Sequence, residues 1–341
     1  MDDERRAQWV LLGGGRMLAH LAAGASRRGC AVLAVCGPAH AREHVAHGRG
    51  DGTGRAALRE ALEGCGASVL VTEALDAAVL ADRLRPGAIG VSISAPWIFR
   101  RDVIDLFGGR LLNVHGSDLP HNRGGGGFTW QILRGDRRGG LTLHEVVPAV
   151  DEGRIVHQST FTYPDSCRTP ADFARHREPL ERAFLDDVLD RVLRGEALEP
   201  RGQDASLAVY WPRLSTAVHG WIDWSWPAAE IVRFCDAFGD PYAGGGTELR
   251  GREVRIRRCD VHTGDGGHHP FQAGLVYRVH EGRAFVATRD AAVVVTDATI
   301  HGDGGPAALR PGHRLHTPVA TLDRARRAWA SVSARGLEIR E

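Results

Sequence analysis

Asn113 and His115 stand one residue apart at the end of an apolar run, Leu111–Val114, just before a loop rich in proline and glycine. Alternation along a strand puts two such side chains on one face. Sites of open α/β sheets lie beyond the carboxyl ends of the strands, so both side chains are expected to project into a cleft. An amide and an imidazole aimed at one point can stabilise an oxygen that gains charge during acyl transfer. Asp151 follows at a second strand–loop junction, after Val150 and shortly before Gly153. A carboxylate beside an imidazole favours the charged ring and can relay a proton. Taken singly, each signal is weak: an acid in that setting is commonly a turn residue.

Other chemistry is excluded more firmly. The chain has no lysine, all 43 positions counted as Lys or Arg being arginine. That removes lysine Schiff bases and the P-loop lysine. The formal net charge of +1 gives no general pull toward nucleic acid or anionic membrane. Six scattered cysteines without a CxxC pair are expected to be reduced thiols, and no metal site is expected. The polar, acidic start (MDDERRAQ) does not resemble a secretory signal, and no apolar run of about 20 residues could cross a bilayer. A cytoplasmic protein is expected.

Gly13-Gly14-Gly15 offers a tempting dinucleotide motif, a glycine turn between a strand and a helix. The third glycine position holds Leu18, and the second strand ends Cys36-Gly37-Pro38 without the acid that would bind a ribose. A tight turn is the plainer reading. The other is a helix N-terminus that faces an anionic or polar substrate.

The elements that must position these residues read clearly in the first half. Strands are expected at Trp9–Leu12, Ala31–Cys36, Ser68–Val71, Ala88–Ser92 and Leu111–Val114. Helices are expected at Arg16–Arg28, Arg55–Glu63, Leu75–Leu84 and Arg101–Leu106. Such alternation, with continuous apolar strands, implies a Rossmann-like α/β domain whose mostly parallel sheet is covered on both faces. Strand-like Leu141–Val147 and Arg154–Thr162 follow, then a long helix, Thr169–Leu193, opened by a Thr-Pro cap. Domain boundaries are expected at 1–193, with a polar linker at 194–206 and a second domain at 207–341. There a helix at Ala228–Phe238 precedes β-like runs at Val254–Val261, Ala273–Val279, Arg283–Thr288 and Ala291–Ala298, which suggests a small β-barrel.

The motif segments together resemble the folate-dependent formyltransferases. In that family Asn-x-His is followed by Leu-Pro, Arg-Gly, a Trp-containing helix, a T-x-H-x-V strand and Asp-x-Gly-x-Ile. Here these are Asn113-Val114-His115, Leu119-Pro120, Arg123-Gly124, Trp130-Gln131-Ile132, Thr142-Leu143-His144-Glu145-Val146 and Asp151-Glu152-Gly153-Arg154-Ile155. Trp211-Pro212-Arg213-Leu214-Ser215, Gly220–Trp224 and Pro241–Gly244 resemble the start of the family's C-terminal domain, an open oligonucleotide-binding (OB)-type barrel. The pattern runs from about Ala88 to Leu315. Two departures bear on the acceptor: Gly125-Gly126-Gly127-Phe128 replaces a loop that usually holds proline, and the first strand lacks the Phe-Gly-Thr-Pro opening of the tRNA enzymes.

The resemblance implies transfer of a formyl group from N10-formyltetrahydrofolate to an amine, without a metal. It assigns catalysis to Asn113, His115 and Asp151, with His144 as support. It also places the pterin between Ala95-Pro96-Trp97-Ile98-Phe99 and Val147-Pro148-Ala149-Val150. Arg123 and Gly124, with the Gly13–Gly15 turn, are candidates for the acceptor side. A small amine acceptor is expected, such as an amino sugar, a nucleotide-linked amino sugar or an amino-acid-derived metabolite. The segment Leu207–Glu341 carries 17 Arg against 15 acids, and Pro38–Arg55 holds only Arg42, Arg49 and Arg55, too few for a strong phosphate path. Methionyl-tRNA formylation is the first alternative, an NAD(P)-dependent oxidoreductase the second, and a non-catalytic folate sensor the third.

Overall fold

The computed structural model describes residues 8–47, 54–125, 127–196, 199–302 and 304–340. Arg49, Gly126, Ala197 and Leu198, which fall in segments read above, lie outside the described residues, as do residues 1–7.

The first half comprises β1 (Gln8–Gly13), α1 (Gly15–Arg27), β2 (Ala31–Cys36), α2 (Pro38–Ala41), β3 (His44–His47), β4 (Gly54–Ala57), α3 (Leu58–Gly64), β5 (Ser68–Val71), α4 (Ala77–Leu80), β6 (Ile89–Ile93), α5 (Arg101–Asp105) and β7 (Leu111–His115). It continues through β8 (Arg123–Gly124), α6 (Gly127–Leu133), β9 (Arg138–Glu145), β10 (Ile155–Thr162) and α7 (Pro170–Leu193). Seven strands form one sheet in the order β10-β9-β7-β6-β1-β2-β5, in which β9 pairs antiparallel with both β7 and β10 and the other pairs are parallel. β1 is buried along its whole length because both faces are covered. Leu18, Leu21, Leu62, Phe184 and Leu189 pack on one face, and Leu80, Val103 and Phe107 on the other. Each such side chain removed from water contributes about 1.5–3 kcal/mol. Strand order reverses at β1, so its end and those of β6 and β7 border the crevice where such sheets take ligands.

α7 begins as its sequence indicates. Thr169 Oγ1 accepts from Asp172 N–H, and the Asp172 carboxylate accepts from Thr169 N–H at 2.9 Å. Two expected helices are shorter. The segment expected as a helix from Arg55 first forms β4, paired with β3 in a hairpin whose Val45 is buried against the core, and turns helical only at Leu58. The helix expected at Leu75–Leu84 gives one α-turn after its Asp76 cap and then tightens. The Gln8 side chain takes its end, donating to Arg83 O at 2.9 Å and accepting from Arg85 N–H at 2.8 Å.

After residues 194–206 come β11 (Tyr210–Trp211), α8 (Thr216–His219), α9 (Ala228–Ala237), β12 (Gly245–Leu249), β13 (Arg252–His262), β14 (Val276–His280), β15 (Arg283–Ala287), β16 (Ala292–Ile300), β17 (Leu315–His316), α10 (Val319–Arg327), β18 (Trp329–Ser333) and β19 (Gly336–Arg340). Six strands run β14-β15-β16-β13-β12-β17, and a bridge between Leu275 and Arg314 brings the last edge back to the first. The sheet thus curls into the expected barrel. β14 starts three residues later than its sequence suggests, after a turn at Pro270–Gln272.

The halves share a core: Ile132, Tyr163 and Phe173 cluster with Ile231 and Phe234 of α9 and with Ile256, Val286 and Val293 of the barrel. β11 pairs with β8, and the β18–β19 hairpin returns to the first half, where Arg335 meets Glu73 at 2.7 Å. All six cysteines are unpaired and five are buried.

Candidate active site

A cleft of about 590 Å³ opens where β6 and β7 end. Asn113, His115 and Asp151 line it together with both expected donor loops, Ala95–Phe99 and Val147–Val150, and with Arg123 and Gly124. Residues separated by up to 56 positions in sequence therefore meet. The Gly13–Gly15 turn is not among the lining residues. Gly13 has φ +130°, and a Cβ there would fall 2.0 Å from Ile93 O. Gly14 N–H donates to that same oxygen at 3.0 Å. The turn exists to bring β1 against β6.

Asp151 has φ +56° in a tight turn that aims its carboxylate inward, where the side chain is only 11% exposed. Its Oδ2 accepts from Gly124 N–H at 2.8 Å and lies 3.6 Å from His115 Nδ1. Its Oδ1 lies 3.4 Å from His144 Nε2. Burial pushes the carboxyl pKa up, but His115, His144 and the Gly124 N–H together outweigh it and bring it down to about 2. His115 Nε2–H donates to Asn122 O at 2.7 Å, an oxygen that also accepts from Ser117 Oγ–H at 2.8 Å. Both ring nitrogens of His115 thus face oxygen.

His144 is 2% exposed and stands behind the other three. Its Nδ1 lies 2.8 Å from Glu145 O and its Nε2 3.0 Å from the Asn113 amide nitrogen; in the tautomer whose Nδ1–H donates to Glu145 O, Nε2 accepts from that amide. One amide hydrogen is held there and the second is left for the cleft. The Asn113 orientation therefore depends on His144. His144→Ala is expected to lower kcat about 10-fold with donor KM unchanged, and to cost about 1–3 kcal/mol through the lost packing and the unpaired amide. Steady-state kinetics with thermal melts check both; unchanged kcat in a folded variant would refute the orienting role.

The donor loops offer apolar surface to the cleft: Ile98 is 70% exposed and Val150 41%. Such faces, beside the backbone groups of the strand ends, suit a flat heterocycle. Arg123 is engaged within the protein, with Nη1 3.0 Å from Glu152 Oε1 and Nη2–H donating to Gln203 Oε1 at 2.9 Å. Among the described residues no group of three or more His, Cys, Asp or Glu is placed to hold a metal ion, and no helix is long and apolar enough to cross a membrane.

Two family models match the chain: formyl transferase at residues 79–169, and the formyl transferase C-terminal domain at 215–304. Methionyl-tRNA formyltransferase of Roseiflexus castenholzii is 33% identical over 251 residues, 73% of this chain and 78% of that one. The chain belongs to the formyltransferase family. The same-named protein of Roseiflexus sp. (strain RS-1) is 34% identical over 212 residues, and the match spans 64% of that protein's length. Among solved structures, the N-formyltransferase from Helicobacter canadensis, in complex with folinic acid and dTDP-3-aminofucose, shares the fold. Its TM-score is 0.62 at 14% identity, with 85% of this chain and 98% of that one covered. WlaRD, a sugar 3N-formyl transferase, gives 0.61 at 16% identity over 87% and 98%.

Within this formyltransferase, the structure adds residues that the sequence reading passed over. Gln203, from the segment taken as a plain linker, donates through Nε2–H to Asp151 O at 2.8 Å and Gly153 O at 2.7 Å, pinning the turn that carries the carboxylate. No motif marks a single glutamine in a polar connector. Tyr210, Trp211 and Arg213 reach the cleft because β11 pairs with β8, and Trp329–Val332 reach it through the terminal hairpin. The Trp-Pro-Arg run was visible as a family feature; its place in the cleft was not.

Proposed function

We propose that this formyltransferase moves the formyl group of N10-formyltetrahydrofolate to the amine of a small acceptor. The convergence of Asn113, His115 and Asp151 at the floor of one cleft, between an apolar slot and a wall from the C-terminal half, carries the reading. The free amide hydrogen of Asn113 can donate to the formyl oxygen as it gains charge, and His115 can do so once its Nε2–H leaves Asn122 O. Asp151, ionised well below neutral pH, lies within 4 Å of His115, where it would balance charge that the ring gains during transfer. The apolar loops Pro96–Phe99 and Val147–Val150 would hold the pterin. A small acceptor is favoured by the weak charge of the C-terminal half, 17 Arg against 15 acids, and by the hairpin residues that wall the cleft. A cytoplasmic location belongs to the same proposal.

Full-length protein incubated with 10-formyltetrahydrofolate and a panel of free and nucleotide-linked amino sugars and amino acids is expected to release tetrahydrofolate with at least one of them. Formylation of methionyl-tRNA is the second reading, favoured by the identity to proteins of that name. Turnover confined to methionyl-tRNA, with affinity that falls steeply as salt rises, would reverse the order.

A further inference from the structure

Three arginines line the cleft. Arg123 is bound to Glu152 and Gln203. Arg177 Nη1–H donates to Gly116 O at 2.7 Å, its Nε lies 2.7 Å from Glu181 Oε1, and its guanidinium sits 4.2 Å from the centre of the Phe128 ring. The Arg213 side chain makes no hydrogen bond or ion pair with any described residue. Arg213 is exposed along the cleft, and the protein groups crowding its base push its pKa below the ordinary arginine value, opposed by Tyr242 and Tyr210. Exposed to the cleft and without a counter-charge from the protein, its planar guanidinium has N–H groups free for an anionic group brought by a ligand.

Its placement is built rather than incidental. A side chain on Gly125 would put a Cβ 3.2 Å from Arg213 Nε, so the glycine loop, which departs from the family's proline, makes space for the guanidinium. Gly125 N–H donates to Trp211 O at 3.1 Å, which ties that loop to the arginine's own strand. On the other side Arg213 pairs with Ala330 of the terminal hairpin, across a residue with only a methyl group. The hairpin is anchored in turn. His219 Nδ1 accepts from Ser215 N–H at 2.8 Å, which leaves Nε2–H to donate to Ala328 O at 3.1 Å. Arg335 binds the Glu73 carboxylate, and Glu73 O accepts from Trp97 Nε1–H of the donor slot at 3.1 Å.

From this we infer that Arg213 binds an oxyanion, phosphate or carboxylate, carried by the acceptor, in a subsite framed by Gly125 and the terminal hairpin. A planar guanidinium with free N–H groups matches either group bidentately. The inference deepens the formyl-transfer reading and rests on it.

The test is calorimetry on the full-length protein, with and without 5-formyltetrahydrofolate, titrated with inorganic pyrophosphate and separately with succinate. At least one anion is expected to bind wild type. Arg213→Gln should weaken that binding on the order of 10-fold or more, and Arg213→Lys less, with 5-formyltetrahydrofolate binding unchanged in both. Pyrophosphate alone would identify a phosphate site, and succinate alone a carboxylate site. No binding of either anion to wild type, or equal binding to wild type and to folded Arg213→Gln, overturns the subsite. Failure of 5-formyltetrahydrofolate to bind overturns the folate reading instead, so the two failures are distinguishable.

Discussion

Replacing Asn113, His115 or Asp151 is expected to lower formyl transfer by about 10²-fold or more each, since each removes an interaction that strengthens as charge develops on the transferred group. Asp151→Asn should be nearly as damaging as Asp151→Ala. It keeps the shape and can still accept from Gly124 N–H, but loses the charge facing His115 at 3.6 Å and His144 at 3.4 Å. The double variant His115→Ala/Asp151→Ala should be little worse than the worse single one, because the groups act as a unit. Asp151 also carries a stability signature. Its pKa of about 2, against an ordinary 3.8, means the folded state favours the charged form. That contribution is full above the ordinary value and disappears as pH falls through the folded value; it amounts to about 2 kcal/mol. Asp151→Asn should therefore melt lower than wild type at pH 7, and the gap should narrow as pH approaches 3. Single-turnover rates and pH-dependent melts decide the matter: near wild-type rates in a folded Asn113 or Asp151 variant would remove the mechanism.

A large loss of stability is expected from Gly13→Ala. Its Cβ would fall 2.0 Å from Ile93 O and 2.9 Å from Ala95 N, both backbone atoms that cannot step aside, and φ +130° is strained for any side chain. A cost of about 3 kcal/mol or more, or failure to fold, follows. Gly15→Ala, at φ +82° with open space around the added carbon, should cost only about 1–2 kcal/mol. Gly14→Ala would meet the His40 ring at 2.4 Å and His40 Cβ at 2.7 Å, an atom that side-chain rotation cannot move, and should also cost more than Gly15→Ala. Thermal melts of the three variants, with turnover per folded molecule alongside, separate a packing turn from a ligand-binding one. A folded Gly15→Ala that has lost acceptor use while keeping donor binding would return the turn to the active site.

These glycines show how far the linear reading reached. A glycine run between strand and helix can mean a cradled anion or a close strand crossing, and nothing local distinguishes the two. The difference lies in Ile93 O, some 80 positions away. The same holds for the helix expected at Leu75–Leu84: its residues suit a helix, but its end is taken by the side chain of Gln8. Gln203 is the sharpest case, a glutamine in a polar connector that holds the turn bearing Asp151.

Residue types and local periods were enough for the strand–helix alternation, the parallel sheet, the barrel and the shared face of Asn113 and His115, whereas Asp151 joined them through the resemblance to the formyltransferases. Strand alternation is a local property, and a strand end at a switch point has one place for its side chains to go. Which arginine the cleft leaves unpaired, which loop presses on it, and how the last strands return to wall the cleft depended on contacts between distant segments. Arg123 and Arg213 look equally available in the chain. Glu152 neutralises one and Gln203 accepts its hydrogen bond, while Gly125 and Ala330 make room for the other and offer it no counter-charge.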